Sequence, residues 1–261
     1  MHAIRLHAFG PPENLVLEEL PDLEPGPGEV RIAVEASGVH LLDTSIRRGE
    51  EGPLPPPELP TVPGREVAGV VELEPPHRDD VVLVPSAAGG LGWLLVQSAR
   101  AVGARVVAAA RGERTDALSE LGADMVVDYG EPGWEKRVRD ELDGVTLVYD
   151  GVGGQVGRAS LELLRPGGRL VMFGFSSGTP TEVTTADLLQ RGISAGWSLG
   201  PRMAALPGGI PGLAGRALQM VTSGAWRPLL STYSLADAAR AHADLEERQA
   251  LGKVVLVTGS R

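Results

Sequence analysis

Short apolar runs and helix-length segments alternate through the middle of this chain, and no other feature of its sequence constrains the fold as strongly. Most segments between the runs have the length and period of a helix of about ten residues. Strands separated by helices form βαβ crossovers and a parallel sheet. The pattern predicts a doubly wound α/β fold of about six strands, the complement of a complete dinucleotide-binding fold. The runs, between residues 81 and 199, are VVLVPSA, RVVAAA, MVVDY, TLVYD, RLVMFGF and ISAGWSL.

Both ends of the chain have a different character. HAIRLHAF and EVRIAVEASGV alternate between apolar and polar residues, as half-buried strands do. The later stretch GEEGPLPPPELPTVPG is too rich in proline for a helix or a central strand, which predicts a surface loop. After Leu199 the glycine- and proline-rich segment GPRMAALPGGIPGLAG also predicts a loop. A helix over 216–222, a strand near 229–233, the helix SLADAARAHADLEE and the strand KVVLV follow it.

Composition excludes several classes of function. The chain of 261 residues has a formal net charge of −10, which argues against a nucleic-acid partner. It has no cysteine, so disulfides, thiolate zinc sites and a cysteine nucleophile are excluded, and its five scattered histidines suggest no metal site. The N-terminus lacks the continuous apolar core of a secretory signal. Proline and glycine interrupt the uncharged segment 81–99, which argues against a membrane-spanning helix there. We expect a soluble, cytoplasmic protein without a membrane partner.

The first strand of the alternating region ends in a glycine turn, VVLVPSAAGGLG, which opens directly into a helix. Backbone N–H groups and the helix dipole meet at such a turn, and together they suit the pyrophosphate of a dinucleotide. Gly89 and Gly92 supply the G-x-x-G part of the fingerprint, while Ala87 takes the place of its first glycine. The same turn also occurs without a ligand, between a buried strand and a helix. The five strands that follow favour the binding interpretation.

The end of the second strand, about twenty residues further on, indicates which dinucleotide is bound. An NAD site usually places Asp or Glu there for the ribose hydroxyls, whereas this strand ends in Ala110 and is followed by Arg111 and Arg114. Arginine offers several fixed donors to phosphate oxygens, so the pair suits a 2′-phosphate. The alternative is that both arginines are solvated surface charges, and Glu113 between them is a signal for NAD. The sequence favours NADPH.

A series of motifs runs through nearly the whole chain in a fixed order: GREVAGVV, AAGGLG, GARVVAAARGER, LGADMVVDY, VYDGVGG, LRPGGRLVMFGFSSG and GKVVLV. In this series the chain resembles the zinc-free quinone oxidoreductase (zeta-crystallin-like) branch of the medium-chain dehydrogenase/reductase superfamily. The resemblance implies a Rossmann domain for NADPH over 81–199 and a GroES-like β domain formed from both chain ends, 1–80 and 200–261. It also implies a homodimer that reduces a small-molecule quinone or α,β-unsaturated carbonyl without zinc.

The resemblance assigns cofactor contacts to three regions. Carried over by position, residues 88–92 would hold the pyrophosphate, and Arg114 and Tyr129 the 2′-phosphate. Tyr129 is otherwise a half-buried tyrosine at a strand end. Two later loops would lie along the nicotinamide half of the cofactor. With Arg111, the candidate cofactor-binding residues are Ala88, Gly89, Gly90, Leu91, Gly92, Arg111, Arg114, Tyr129, Asp150, Gly151, Val152, Gly153, Gly174, Phe175 and Ser176.

Two departures from the family concern the substrate side. The family has several dozen residues between the GREVAGVV strand and the dinucleotide strand, whereas only ELEPPHRDD separates them here. We therefore expect a truncated substrate domain and an unusually open cleft with room for a bulky substrate. In GVHLLDTSIRRG, the family's asparagine and tyrosine are replaced by His40 and Ser45, while Asp43 and Arg47 are kept.

This segment gives the candidate catalytic residues, which are His40, Ser45 and Arg47. A histidine titrates near neutrality and can donate a proton, although a lone histidine is more often a satisfied polar residue. Asp43 fits a structural hydrogen bond better than a catalytic base. The leading hypothesis is NADPH-dependent reduction of a quinone or enone, with the proton coming from solvent or from His40.

Two other functions remain open on the sequence. The shortened substrate domain is compatible with a non-redox cyclase, isomerase or binding scaffold for a polyketide-like molecule, although the NADPH signature argues against it. GFSSG at 174–178 matches the G-x-S-x-G of serine hydrolases, with Ser176 as nucleophile and Asp187 or Asp237 and His242 as partners. A nucleophile elbow must enter a helix at once, whereas the loop-like TPTEVTT follows this motif.

Overall fold

The computed structural model describes residues 1–22, 34, 36–50, 56–64, 75–112, 114–206 and 208–258. Its strands are β1 (His2–Leu6), β2 (Leu15–Glu19), β3 (Ala36–Val39), β4 (Val81–Pro85), β5 (Arg105–Ala110), β6 (Met125–Asp128), β7 (Val145–Asp150), β8 (Leu164–Met172), β9 (Ser194–Trp197), β10 (Leu230–Ser234) and β11 (Lys253–Val257). Its α-helices are α1 (Leu41–Arg48), α2 (Gly90–Ala101), α3 (Thr115–Glu120), α4 (Trp134–Leu142), α5 (Gly154–Glu162), α6 (Thr185–Arg191), α7 (Pro201–Ala204), α8 (Gly209–Thr222) and α9 (Ala238–Glu246).

Some predicted features lie outside the described residues. They are most of the strand EVRIAVEASGV before β3, residues 65–71 of GREVAGVV, residues 72–74 of the short connection after it, residues 51–55 of the proline-rich loop, and Glu113.

The alternating region forms a six-stranded sheet in the order β6–β5–β4–β7–β8–β9. All neighbouring strands in it are parallel. Helices α2 to α6 connect consecutive strands, as parallel pairing requires. The strand order reverses between β4 and β7, which is the arrangement of a doubly wound dinucleotide-binding fold. The predicted fold class is confirmed for this part of the chain.

The sheet is apolar on both faces because helices cover both of them. Leu83 of β4, Val107 of β5 and Val148 of β7 are fully buried in one core cluster, together with Val138 of α4 and Leu161 of α5. Burial of a large aliphatic side chain stabilises a fold by about 1.5–3 kcal/mol. This core therefore fixes the strand ends from which the candidate site projects.

The first and last parts of the chain, Met1–Val67 and Leu229–Arg261, form a compact unit of their own. In it β1 pairs with β2, and β11 pairs with β10 on one side and β3 on the other. Both chain ends thus build one strand-rich unit, because β3 from the front pairs with β11 from the back. Its core contains the buried residues Ile4, Leu6, Leu15, Val39, Ala238, Ala241, Val254 and Leu256.

The other compact unit spans Ala68–Pro228, so it extends past residue 199, where the sequence places the boundary. The extra segment is tied to α2 by side-chain hydrogen bonds. Trp226 Nε1 donates to Ser98 Oγ at 2.9 Å, and Trp93 Nε1 donates to the carbonyl of Arg227 at 3.0 Å. These bonds explain why residues after 199 belong to the sheet-containing unit.

The expected loop over 200–215 contains helix, so that prediction is wrong. Helix α7 begins with Pro201, and α8 begins at Gly209 with Pro211 in its first turn. Proline is tolerated in the first turn because the N–H groups there have no carbonyl partner in the helix. In the described part of the chain, no helix has the length and apolar character that crossing a membrane requires.

Candidate functional site

The turn after β4 places the start of α2 at the carboxyl end of the sheet. Ser86 has a φ of 63°, Gly89 N–H donates to the Ser86 carbonyl at 2.9 Å, and α2 begins at Gly90. The N–H of Trp93 donates to the Gly89 carbonyl at 2.9 Å. The N–H groups of residues 90–92 therefore belong to the first turn, where a helix offers them no carbonyl. They lie beside the point where the strand order reverses, which is where such sheets bind ligands.

Close packing requires glycine at position 92. A Cβ atom on Gly92 would lie 2.1 Å from the Ser86 carbonyl oxygen and 2.9 Å from Ala87 Cα, and these backbone atoms cannot move without opening the turn. Ala87 itself is fully buried, and its N–H donates to the carbonyl of Ala109 on β5 at 2.9 Å. The turn therefore accommodates alanine where the fingerprint has its first glycine. This geometry fits a pyrophosphate at the start of α2.

The predicted phosphate-binding side chains lie at the ends of two neighbouring strands. Arg111 follows β5 and is exposed, Arg114 precedes α3 and is half-buried, and Tyr129 follows β6 and is half-buried. Tyr129 N–H donates to the carbonyl of Ala110 at 2.9 Å, which joins the two strand ends. The fold thus brings two cationic groups and a phenol to the carboxyl edge, one strand away from the helix start.

Asp128, which was not among the predicted residues, organises this edge. Its carboxylate accepts the N–H of Gly112 at 2.9 Å and the N–H of Gly130 at 2.7 Å. Arg111 lies over Gly130, where a Cβ atom would be 3.5 Å from Arg111 Nε. An Asp followed two residues later by Gly is a recognisable turn signal. Asp128 therefore holds the two turns that carry the candidate phosphate ligands.

Asp150 positions the loop after β7 with its own carboxylate. The side chain is fully buried. Oδ1 accepts the N–H groups of Val152 and Gly153, both at 2.9 Å, and Oδ2 accepts the hydroxyl of Thr181. Burial keeps this carboxylate engaged within the loop, and contact between the segment 150–153 and a cofactor stays a prediction. The backbone of 151–153 remains the candidate contact.

The loops after β7 and β8 pack directly on each other. Ser176 N–H donates to the Gly151 carbonyl at 3.1 Å, and a Cβ atom on Gly174 would be 3.0 Å from the same oxygen. The rings of Phe175 and Trp197 lie 6.1 Å apart, which connects the loop to β9. Two of the predicted cofactor segments are thus adjacent at the carboxyl edge of the sheet.

In the unit formed by the chain ends, His40 precedes α1. Its N–H donates to Asp43 Oδ2 at 2.8 Å, and Asp43 is buried, so Asp43 has the expected structural role. Lys253 Nζ lies 3.1 Å from His40 Nε2. No function was predicted for Lys253 from the sequence, where the only feature that draws attention to it is its place in the GKVVLV motif.

The other two candidate catalytic residues are engaged within this unit. Arg47 is 1% exposed, donates to the Gly10 carbonyl and pairs with Glu246 of α9 at 2.6 Å. Burial lowers its pKa, and the neighbouring Arg48 lowers it further. Ser45 Oγ accepts from Arg48 Nη2 at 3.2 Å. The prediction that Arg47 takes part in catalysis is wrong, because its buried guanidinium joins α1 to α9 and cannot reach a substrate.

Comparison with known proteins connects both units to one family. Residues 26–115 match the family model of the alcohol dehydrogenase GroES-like domain, and residues 90–210 match that of zinc-binding dehydrogenases. A quinone oxidoreductase of Salmonella typhimurium is 27% identical over 333 positions, covering 97% of this chain and 98% of the relative. The chain belongs to the quinone oxidoreductase branch of the medium-chain dehydrogenase/reductase superfamily.

Two further proteins extend the comparison. A 2-haloacrylate reductase from Burkholderia is 27% identical over 328 positions and covers 97% of each chain. A mycobacterial protein solved in complex with NADPH is 29% identical, with a TM-score of 0.84 over 98% of this chain and 99% of the other.

The lengths of the alignments bear on the shortened substrate domain. The alignments with the 2-haloacrylate reductase and the Salmonella quinone oxidoreductase extend over 328 and 333 positions, whereas the present chain has 261 residues. Each of the two relatives therefore has internal residues that this chain lacks. Their place after GREVAGVV stays a prediction, because residues 65–74 lie outside the described ranges.

The zinc named in one of the matching models has no evident counterpart among the described residues. Within the described ranges, no group of three or more His, Asp or Glu side chains has the geometry to hold a metal ion. The chain also has no cysteine, which is the usual ligand of structural zinc.

The loop around Ser176 lacks the geometry of a serine hydrolase. The next helix, α6, begins only at Thr185, so no nucleophile elbow forms. Asp187, the first of the two candidate acids, pairs through both oxygens with Arg158 at 2.7 Å. Arg158 and the N–H of Thr184 hold the pKa of Asp187 well below the usual range. Its carboxylate is thus committed to a structural ion pair.

The other two residues of the candidate hydrolase triad, Asp237 and His242, are also hydrogen-bonded or buried. Asp237 accepts the hydroxyl of Ser234 at 2.6 Å. His242 is buried, and burial lowers its pKa to about 4, with a smaller contribution from Arg47. The structure therefore does not support a serine hydrolase.

Proposed function

We propose that this protein is an NADPH-dependent oxidoreductase that reduces a quinone or an α,β-unsaturated carbonyl. The observation that carries the proposal is the glycine turn at the strand-order reversal, with Arg111 and Arg114 at the neighbouring strand end. Relatives named quinone oxidoreductase and 2-haloacrylate reductase support the reaction class, and the NADPH complex of a solved relative supports the cofactor.

The residues present fit this cofactor. The N–H groups of residues 90–92 bind the pyrophosphate, at a helix start that Gly92 keeps close against the strand. Arg111, Arg114 and Tyr129 bind the 2′-phosphate. A charge-assisted hydrogen bond contributes about 1.5–3 kcal/mol, so one or two arginine contacts suffice for a clear preference over NADH.

The bound dinucleotide supplies the hydride, and the chain supplies orientation and a proton. The backbone of 151–153 and 174–176 orients the nicotinamide half. These two loops are hydrogen-bonded to each other, and Asp150 fixes the first of them, so they form a rigid support. The oxygen on which negative charge develops takes a proton from solvent or from His40.

Three finer expectations accompany the proposal. The residues missing relative to the family leave an open cleft that accepts a bulky substrate. The protein acts in the cytoplasm, and it forms a homodimer. The resemblance to the family supports the last of these, and a sedimentation measurement tests it.

The first experiment is calorimetric titration of the purified protein with NADPH and with NADH. We expect NADPH to bind at least tenfold more tightly, which corresponds to one charge-assisted contact of about 1.5 kcal/mol. Replacing both Arg111 and Arg114 by Gln should abolish this preference. Arg105→Gln is the matched control, because Arg105 lies at the opposite end of the same strand, β5, and is exposed. Equal binding of the two cofactors, or binding of neither, would contradict the assignment.

The second experiment follows the absorbance of reduced nicotinamide with a panel of quinones and enones. Consumption of NADPH with one of them supports the reductase activity. Tight binding of NADPH without consumption by any compound would instead favour the non-redox cyclase, isomerase or scaffold.

A further inference from the structure

Two aromatic side chains lie together at the carboxyl edge of the six-stranded sheet. The rings of Phe175, which follows β8, and Trp197, which ends β9, have centroids 6.1 Å apart and are tilted by 35°. Aromatic pairs favour this separation because the electron-rich face of one ring attracts the edge of the other. Phe175 is 39% exposed and Trp197 is half-buried, so both keep apolar surface that a ligand can reach.

Backbone hydrogen bonds hold the two rings in place. The N–H of Gly178 donates to the carbonyl of Phe175 at 2.9 Å, which closes a turn after that residue. Trp197 lies opposite Met172 in the parallel pair of β8 and β9, and the N–H of Ser198 donates to the Met172 carbonyl at 2.9 Å. The pair is therefore a preformed surface, which loses little conformational freedom when a ligand binds.

The pair adjoins the loop after β7, whose backbone is proposed to orient the nicotinamide. A Cβ atom on Gly153 would lie 3.0 Å from Phe175 Cβ and 3.2 Å from Phe175 Cα. The N–H of Ser177 donates to the Val152 carbonyl at 2.8 Å. All of these residues belong to the unit Ala68–Pro228, so the aromatic surface is complete within the sheet-containing unit.

The indole of Trp197 adds a hydrogen-bond donor to this surface. The indole N–H groups of Trp93 and Trp226 have acceptors in the protein. Trp197 Nε1 makes no hydrogen bond to any residue that the structure describes. An indole N–H can only donate, and a buried tryptophan usually gives it an acceptor. A ligand with a carbonyl oxygen would supply one.

We propose that Phe175 and Trp197 bind the ring of the substrate and make the enzyme prefer aromatic quinones to acyclic enones. The two side chains stack against a flat fused-ring quinone, and Trp197 Nε1 donates to one of its oxygens. An acyclic enone has the carbonyl oxygen but offers no aromatic ring to Phe175. The inference rests on the proposed reductase function, of which it specifies the substrate class.

Steady-state kinetics with two substrates test the preference. 1,4-Naphthoquinone has a fused aromatic ring, and but-3-en-2-one is an acyclic enone. Phe175→Leu should lower kcat/KM for naphthoquinone about tenfold more than the value for butenone, which is the upper end of what one aromatic contact contributes. Phe175→Tyr retains a ring and should retain the preference. Phe9→Leu is the matched control, because Phe9 is 37% exposed and lies in the unit formed by the chain ends.

Two substitutions at position 197 separate the ring from the donor. Trp197→Phe keeps an aromatic ring and loses the N–H, so kcat/KM should fall about fivefold for both substrates. Trp197→Leu loses the ring as well and should lower the value for naphthoquinone further than the value for butenone. Calorimetry should give the native dissociation constant for NADPH in all these variants, because only the backbone of 174–176 is proposed to contact the cofactor.

Quinone binding can be measured without turnover. Quinones quench indole fluorescence on contact, and oxidised NADP⁺ cannot reduce them. Titration of the NADP⁺-saturated protein with 1,4-naphthoquinone should show saturable quenching, which Trp197→Phe removes. Trp226→Phe replaces a tryptophan that is 5% exposed and should retain the quenching. Phe175→Leu should raise the dissociation constant of the quinone about tenfold.

Three results would overturn the proposal. Equal losses for naphthoquinone and butenone in Phe175→Leu, or no loss for either, would show that the pair does not select a ring. A higher dissociation constant for NADPH would show that the pair contacts the nicotinamide instead. A change in the sedimentation of Phe175→Leu would show that a second copy of the chain covers it. If Trp197→Leu does not fold, Trp197→Phe and Phe175→Leu give the same comparison.

Failure of the proposed function is distinguishable from failure of this inference. A native protein that consumes no NADPH with any substrate would refute the reductase activity, and quenching of Trp197 by naphthoquinone would still decide whether the pair binds a quinone. If the native protein consumes NADPH and Phe175→Leu has the same kinetics, this inference alone fails.

Discussion

The buried histidine of α9, His242, should make the protein sensitive to mild acid. His242 is 4% exposed, and burial, followed by the charge of Arg47, lowers its pKa from 6.5 to about 4. The unfolded chain takes up a proton near pH 6.5, whereas the folded chain resists protonation until about pH 4. This contribution to stability is therefore complete above pH 6.5 and is lost as the pH falls toward 4.

The size of the effect follows from the two pKa values. The interval from 6.5 to about 4, at about 1.4 kcal/mol for each pH unit, corresponds to a loss of about 3 kcal/mol. His242→Gln removes the titrating group and keeps a polar side chain on the helix. Between about pH 7 and pH 4, the native protein should lose about 3 kcal/mol more free energy of unfolding than this variant.

Urea unfolding at a series of pH values measures the difference. His2→Gln is the matched control, because His2 lies in the same unit but is exposed, and it should leave the pH dependence of the native protein unchanged. Other groups also contribute to acid unfolding, Asp187 among them, but they are common to all three proteins. Parallel pH profiles for the native protein and His242→Gln would refute the reasoning.

Two further substitutions test the glycine turn and the buried arginine. Gly92→Ala should weaken NADPH binding at least tenfold in calorimetry, because the added Cβ would lie 2.1 Å from the Ser86 carbonyl oxygen. Gly215→Ala in α8 is the control: no atom lies within 4 Å of the added Cβ there, so binding should be unchanged. Arg47→Met should lower the free energy of unfolding in urea by about 1.5–3 kcal/mol, since Glu246 loses its buried partner and keeps its pair with the more exposed Arg48. A cost below about 1 kcal/mol, as expected of an exposed pair, would contradict this role.

Local pattern was sufficient to predict the sheet and the glycine turn. The strands around Leu83 and Val107 are continuous apolar runs, and the glycine spacing before α2 reflects the contact at Gly92. Lys253 and His40 could not be paired in advance, because 213 positions separate them and only the register of β11 on β3 brings them together.

Burial was the quantity that the sequence did not reveal. Arg47 and Asp150 carry charge in segments that resemble functional motifs, and both are buried and bonded within the protein. Conversely, Asp128 was not predicted because its partners are backbone N–H groups, which leave no trace in the sequence beyond a turn signal. Helix α7 and the first half of α8 were not predicted, because prolines in the first turn of a helix cannot be told from prolines in a loop by composition.

The two units divide the proposed chemistry in a way that mutations can separate. In the proposed function, backbone N–H groups and arginines of the sheet-containing unit bind NADPH, so Gly92→Ala and the arginine variants should raise its dissociation constant. His40 belongs to the other unit, so His40→Asn should change turnover and leave that dissociation constant unaltered. If a single substitution changed both quantities, binding and proton delivery would have to depend on the same residues, and the assignment of one role to each unit would fail.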